Sequence, residues 1–129
     1  MPLFPEAAFP ADTLAASENR TGLYLKSNGI FEMVRNLVSN TDDVRHSYIT
    51  PPNADSHAGL PPAVLVTNGF DPLCDVGHAY AQKLAAAGDD LTYMHNPALT
   101  HRFPQFTRSS AACHQATLDL ADLIKAKIG

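Results

Sequence analysis

Cysteine, basic clusters and long apolar runs are scarce or missing in this chain, and each shortage excludes a class of protein. Its two cysteines, Cys74 and Cys113, are too few for a disulfide framework and stand at no zinc-ligand spacing from the histidines, so reduced thiols and no structural metal are expected. Nine Lys and Arg against thirteen Asp and Glu, without a basic cluster, leave no electrostatic footprint for nucleic acid or an anionic membrane surface. No apolar run approaches the roughly 18 residues that span a bilayer, and Met1-Pro2-Leu3-Phe4 has neither the basic segment nor the apolar stretch of a signal peptide. The expectation is therefore a cytoplasmic protein with no membrane span and no nucleic-acid partner. Low-complexity sequence is missing too. With 45% hydrophobic and 17% charged residues, the 129 residues predict one packed core and leave no room for two domains.

What is present falls into two parts. Residues 1–59 read as a cap or connecting region with one amphipathic helix. Pro2, Pro5 and Pro10 keep the stretch to Thr21 irregular. Ser27 then caps a helix to about Ser39, with Ile30, Met33, Val34, Leu37 and Val38 on one buried face. A polar, Pro-rich connection follows from Asn40 to Pro62. Residues 60–129 alternate strand and helix. Ala63-Val64-Leu65-Val66-Thr67 is a continuous apolar run, as in a central strand covered on both faces. Asp75 is placed to cap a helix that turns Ala79, Tyr80, Leu84 and Ala87 inward and stops at Gly88. Leu91 to Asn96 is a second strand. Ser109 to Lys127 is a last helix, with Ala112, Ala116, Leu120, Leu123 and Ile124 on one side and Lys125 and Lys127 at its cation-favouring end.

The alternation predicts an α/β fold with parallel strands joined by a right-handed crossover. Two parallel strands cannot stand alone, so the chain asks for more sheet than it contains, and its exposed strand edges are open to self-association. Ligands and catalytic groups in open α/β sheets gather past the carboxyl ends of the strands. Asp71 follows the first strand and His101 the second. There a carboxylate can orient an imidazole and stabilise its cation, as in a Ser-His-Asp triad. By position alone, a turn-forming Asp before Pro72 and an ordinary loop histidine are the commoner readings.

Resemblance separates these readings. Leu60-Pro61-Pro62-Ala63-Val64-Leu65-Val66-Thr67, then Gly69-Phe70-Asp71-Pro72-Leu73, Asp75 and Gly77, resembles the acid-bearing segment of the hormone-sensitive-lipase-like family of α/β-hydrolase esterases. In that family the first Asp of Gly-Phe-Asp-Pro-Leu-x-Asp is the triad acid, and a His-Gly-Phe about thirty residues on holds the base. Asp71 and His101 match those two positions. Phe4-Pro5 and Glu18-Asn19-x-x-Gly22-x-x-Leu25 resemble upstream parts of the same family. The implied fold is the C-terminal portion of an α/β-hydrolase, with the N-terminal half of the sheet and the nucleophile elbow absent.

The chain departs from the pattern at Arg102, where the family has Gly, at Ala98, often Gly, and at Cys74, often Arg. A cation at Arg102 disfavours an imidazolium at His101. No G-x-S-x-G elbow and no His-Gly-Gly-Gly oxyanion loop occurs, and none of the seven serines is flanked by the glycines an elbow needs. The resemblance thus implies a carboxylic ester hydrolase in which Asp71 and His101 are acid and base, with no nucleophile, cofactor site or metal site here. The substrate would be a small ester, acted on once an N-terminal segment is supplied. The alternative is a non-catalytic module that pairs with another chain through its sheet edge. A metal hydrolase using His95 or His101 lacks a converging ligand cluster.

Overall fold

The computed structural model describes residues 13–21, 24–38 and 43–129. Phe4-Pro5, the prolines at 2, 5 and 10, Gly22 and the expected helix end at Ser39 lie outside the described residues. The elements are α1 (Leu14–Glu18), α2 (Ser27–Leu37), β1 (Ala63–Phe70), α3 (Cys74–Ala86), β2 (Leu91–Thr100) and α4 (Ala111–Ile128). Single 3₁₀ turns cover Asp43–Arg45, Pro51–Asn53 and Phe103–Phe106.

β1 and β2 pair in parallel, with Ala63 opposite Leu91, Thr67 opposite His95 and Asn68 opposite Asn96. The ladder is irregular between Asn68 and Phe70, after which Phe70 lies opposite Thr100. Side chains alternate between faces along a strand. Val66 and Met94 point one way, onto the cluster of Phe103, Cys113 and Ala116 under α4. Leu65 and Thr67 point the other way, onto α3, which lies so close that a Cβ at Gly77 would come 2.7 Å from the Thr67 methyl. The two faces are thus covered by the two helices that a parallel pair requires.

Both strands outrun their sequence signatures, to Phe70 and to Thr100, because ladder pairing carries them through Asn, Gly and Pro. Asn68 and Asn96, both buried, bond side chain to side chain at 3.1 Å across the register. Ala63 to Val66 stays only half-buried, where burial on both faces was expected. Among the described residues β1 pairs with β2 alone, which leaves its other edge open, as expected of a chain that asks for more sheet than it contains.

The helices are corrected in their faces and caps. The segment before Thr21 contains α1, closed by the Thr13 hydroxyl accepting from the Ala16 N–H, so residues 1–59 hold more than one helix. Ser27 lies inside α2 rather than capping it; its hydroxyl donates to the Ala16 carbonyl at 2.9 Å and ties α2 to α1. Of the expected α2 stripe, Ile30 and Val38 are buried and Val34 packs on the Ala16–Ile30 cluster. Met33 and Leu37 are exposed, at 57% and 66%, since the described elements cover only part of that helix.

Asp75 does not cap α3, which begins at Cys74 after Leu73. Its carboxylate reaches back 60 residues to accept the Ala15 N–H at 2.9 Å, satisfying a first-turn donor of α1. The inward residues of α3 are Ala81 and Leu84, with Ala79 exposed. Gly88 takes the left-handed backbone, φ 81°, that ends such a helix. α4 is capped by the Ser110 hydroxyl; of the expected stripe Ala116 is buried and Leu120 packs on the same cluster, Cys113 joins them, and Ala112 and Ile124 are exposed. No helix among the described residues is long and apolar enough to cross a membrane.

Candidate functional site

Asp71 emerges directly after β1 and His101 directly after β2, on adjacent loops at one end of the sheet. The Asp71 side chain is 8% exposed, and its Oδ2 lies 2.8 Å from Nδ1 of His101. Its other oxygen, Oδ1, accepts the Leu73 N–H at 2.9 Å, and the Asp71 carbonyl accepts the Cys74 N–H at 3.0 Å. The turn thus uses one carboxylate oxygen for its own backbone and presents the other to the imidazole. Pro72, fully buried, fixes this turn from behind.

The His101 side chain is 28% exposed. With its Nδ1–H given to Asp71, the lone pair sits on Nε2, which has no partner among the described residues. A cleft of about 350 Å³ opens beside the pair. Its walls include Ile49, Leu65, Leu73, Val76 and Tyr80, with Asp71 and His101 among its lining. A second depression, of about 550 Å³, is bounded by Arg45, Asn53 and Lys83 and touches neither residue.

Arg102 is the only non-glycine residue with positive φ among the described residues, at 57°. For a residue with a Cβ this backbone costs roughly 1–2 kcal/mol, which is the physical reason a glycine suits the position. Its guanidinium turns to Tyr24, with Nη1 3.5 Å from the hydroxyl and Cζ 5.9 Å from the ring centroid. The Tyr24 hydroxyl donates to Gln105 at 3.1 Å, and its ring meets Phe106 edge-on at 5.6 Å. Sequence reasoning missed Tyr24 and Gln105, which share no local pattern with His101.

A second polar cluster lies on the α3 face. Thr67 Oγ1 is 2.6 Å from the Tyr93 hydroxyl and 2.9 Å from His95 Nδ1. His78 Nδ1 is 3.3 Å from the Tyr93 hydroxyl. Cys74 Sγ is 4.0 Å from His95 Nδ1. Tyr93 and His95, at alternating positions of β2, were the signal for this cluster. Burial pushes the Cys74 thiol up from its ordinary value; the Thr67 hydroxyl opposes this, and the Asp75 and Asp71 carboxylates add to it. Because the thiolate is the reactive form, Cys74 is expected to react with iodoacetamide more slowly than free cysteine at pH 8, and to close the gap only as pH rises past the free thiol's range. An alkylation rate at pH 8 equal to or above that of free cysteine would contradict this.

No group of three or more His, Cys, Asp or Glu among the described residues is placed to hold a metal ion. His95 and His101 stand in separate contacts, the first with Thr67 and the second with Asp71.

Comparison with known proteins gives a consistent result. A family model described as the alpha/beta hydrolase fold matches residues 2–105. The chain is 29% identical over 127 residues to a carboxylic ester hydrolase of Mycobacterium tuberculosis, LipN, covering 98% of this chain and 34% of that protein. It is 39% identical over 69 residues to the carboxylesterase NlhH of the same species, covering 54% of this chain and 21% of that one. Among solved structures, a thermostable esterase from Pseudomonas putida superposes with a TM-score of 0.84 at 26% identity, over 98% of this chain and 40% of the other. Brefeldin A esterase, a bacterial homologue of human hormone-sensitive lipase, does so with a TM-score of 0.73 at 30% identity, over 90% and 32%. The chain therefore spans about a third of the length of these relatives.

Proposed function

Since the chain belongs to the hormone-sensitive-lipase-like group of the α/β-hydrolase fold family, we propose that it supplies the acid and base of a carboxylic ester hydrolase whose serine lies in an N-terminal part outside these residues. The reading rests on the 2.8 Å contact between Asp71 Oδ2 and His101 Nδ1, with Nε2 unpartnered among the described residues. In the completed enzyme Nε2 takes the proton of the serine hydroxyl as it attacks the ester carbonyl, and the imidazolium then gives that proton to the leaving alcohol. Asp71 holds the imidazole in the tautomer with Nδ1–H and stabilises the cation. Short or medium acyl esters are the substrates that the family resemblance suggests.

By itself the chain has no serine elbow and no oxyanion loop, so the base has nothing to activate and no donors meet a developing oxyanion. The test is an assay on an activated short-chain ester, first of the 129-residue chain and then of the chain joined to whatever its gene encodes upstream of Met1. Background rates from the first and turnover from the second are expected. Turnover by the chain alone that His101→Ala abolishes would contradict the missing nucleophile. An upstream sequence without a serine elbow, or a joined protein without turnover, would remove the esterase reading and favour a non-catalytic module pairing through the free edge of β1.

A further inference from the structure

The end of the sheet where both strands begin holds a cleft that the Asp71–His101 pair does not line. It encloses about 400 Å³ beside the start of β1 and the later turns of α3, and its walls include Leu60, Pro62, Val64, Tyr80 and Leu91. Parallel strands rise about 3.3 Å per residue, so Ala63, opposite Leu91, stands about 23 Å along β1 from Phe70 and the catalytic turn. The volume lies within the roughly 300–1,000 Å³ of small-molecule sites.

Asp89 is the one acidic or basic residue among the described residues of that wall. Its backbone is fixed on both sides, the N–H donating to the Leu84 carbonyl at 3.2 Å and the carbonyl accepting the Leu91 N–H at 2.9 Å. Oδ1 accepts the Leu60 N–H at 3.1 Å. Oδ2 is buried and has no hydrogen-bond partner among the described residues. The basic side chain next along, Lys127, is held by Asp90.

A carboxylate oxygen taken out of water without a donor is costly, and native structures rarely leave one so. Water is a poor remedy here, because a buried water needs about two to four polar partners and these walls are mostly apolar. The terminal torsion of an aspartate is soft. With Oδ1 kept on the Leu60 N–H, a small turn brings Oδ2 to a donor standing in the cleft. A cationic donor gains most, since charge-assisted hydrogen bonds are about twice as strong as neutral ones. The stem that carries it must be apolar to match Leu60, Val64 and Leu91.

We propose that this cleft is a binding site for a small primary amine on an apolar stem, with the ammonium on Asp89 and the stem against β1 and α3. The site is separate from the Asp71–His101 pair and stands whether or not the esterase reading does.

The experiment is an amide-resonance NMR titration of the 129-residue chain with phenethylamine and, in parallel, with 2-phenylethanol, which has the same stem and a neutral hydroxyl. Both are expected to shift the resonances of residues 63–65 and 84–91. The amine should bind about tenfold tighter, the margin of a hydrogen bond to a charged group. Asp89→Asn keeps an oxygen for the Leu60 N–H and sets an NH₂ in place of Oδ2, so the amine should lose that advantage. Asp55→Asn removes an acidic side chain from an exposed site and should leave the advantage intact. Ala63→Leu adds bulk to the cleft wall and should weaken both probes alike, a result that does not depend on Asp89→Asn folding. Equal binding of the two probes, an advantage that survives Asp89→Asn or vanishes in Asp55→Asn, undiminished binding to Ala63→Leu, or shifts confined to other residues would each overturn the proposal. The protein joined to its upstream part should keep the advantage. Its loss there would mean that a side chain of that part occupies Asp89, and would overturn a site for a free amine.

Discussion

Replacing Asp71 by Asn in the completed enzyme should lower kcat by about 10⁴-fold with little change in fold. The contacts of the carboxylate explain why an isosteric amide is so damaging here. Oδ1 accepts the Leu73 N–H and Oδ2 accepts from His101 Nδ1. An asparagine has one oxygen and one NH₂, and the Leu73 N–H can be satisfied only by the oxygen. The NH₂ is thereby forced toward His101, where it donates to Nδ1 and drives the ring proton onto Nε2. The base then presents a donor where it needs a lone pair, and the serine cannot be deprotonated. His101→Ala should cost at least as much, because it removes the base itself and not only the group that orients it. The check is kcat on an activated ester for both variants, with circular dichroism confirming the fold. An Asp71→Asn enzyme retaining a tenth of the parent rate would exclude Asp71 as the orienting acid.

The largest structural effect is expected at Gly69. A Cβ there would come 2.1 Å from the Pro97 carbonyl oxygen and 2.8 Å from its carbon. Both atoms are backbone, and no rotamer change can relieve the overlap. Gly69→Ala must push β1 off β2 at the irregular step between Asn68 and Phe70. Overpacking a tight site costs 1–3 kcal/mol and sometimes more; a rigid backbone obstacle puts this case at about 3 kcal/mol or above. Because domains are only marginally stable, that is a large share of what holds the chain folded. Gly29 is the internal comparison, since a Cβ there meets nothing within 4 Å and the residue lies in α2. Gly29→Ala should raise stability by up to about 1 kcal/mol through helix propensity. Urea unfolding of both variants gives the answer, and an unchanged midpoint for Gly69→Ala would mean the strands do not approach so closely.

Local pattern made part of this molecule legible. The apolar run at Ala63–Thr67 and the alternation at Leu91–Asn96 locate both strands, and the helices between and after them follow from their spacing. The strand ends were not legible, since Asn68-Gly69 and Pro97-Ala98 carry turn-like propensity and are extended only because each strand pairs with the other. Asp75 looks like a cap by its position in the chain, and nothing local reveals that its partner is the Ala15 N–H. The acid and base of the site were legible through their place after the strands and through resemblance. Tyr24 was not, because its link to Arg102 spans 78 residues and repeats no motif.

The uneven ladder at the end of the sheet has a consequence of parity. Asn68 meets a partner 28 residues on, whereas Asp71 meets one 30 residues on. β2 has therefore taken in two additional residues between these points, and two is the smallest number that leaves the alternation of faces unchanged. A single insertion or deletion among Pro97, Ala98 and Leu99 would turn the residue after β2 to the opposite side of the sheet. The imidazole would then look away from the carboxylate while both strands stayed in place. In this stretch chain length can vary in steps of two, and the count of residues, more than their identity, decides whether acid and base meet.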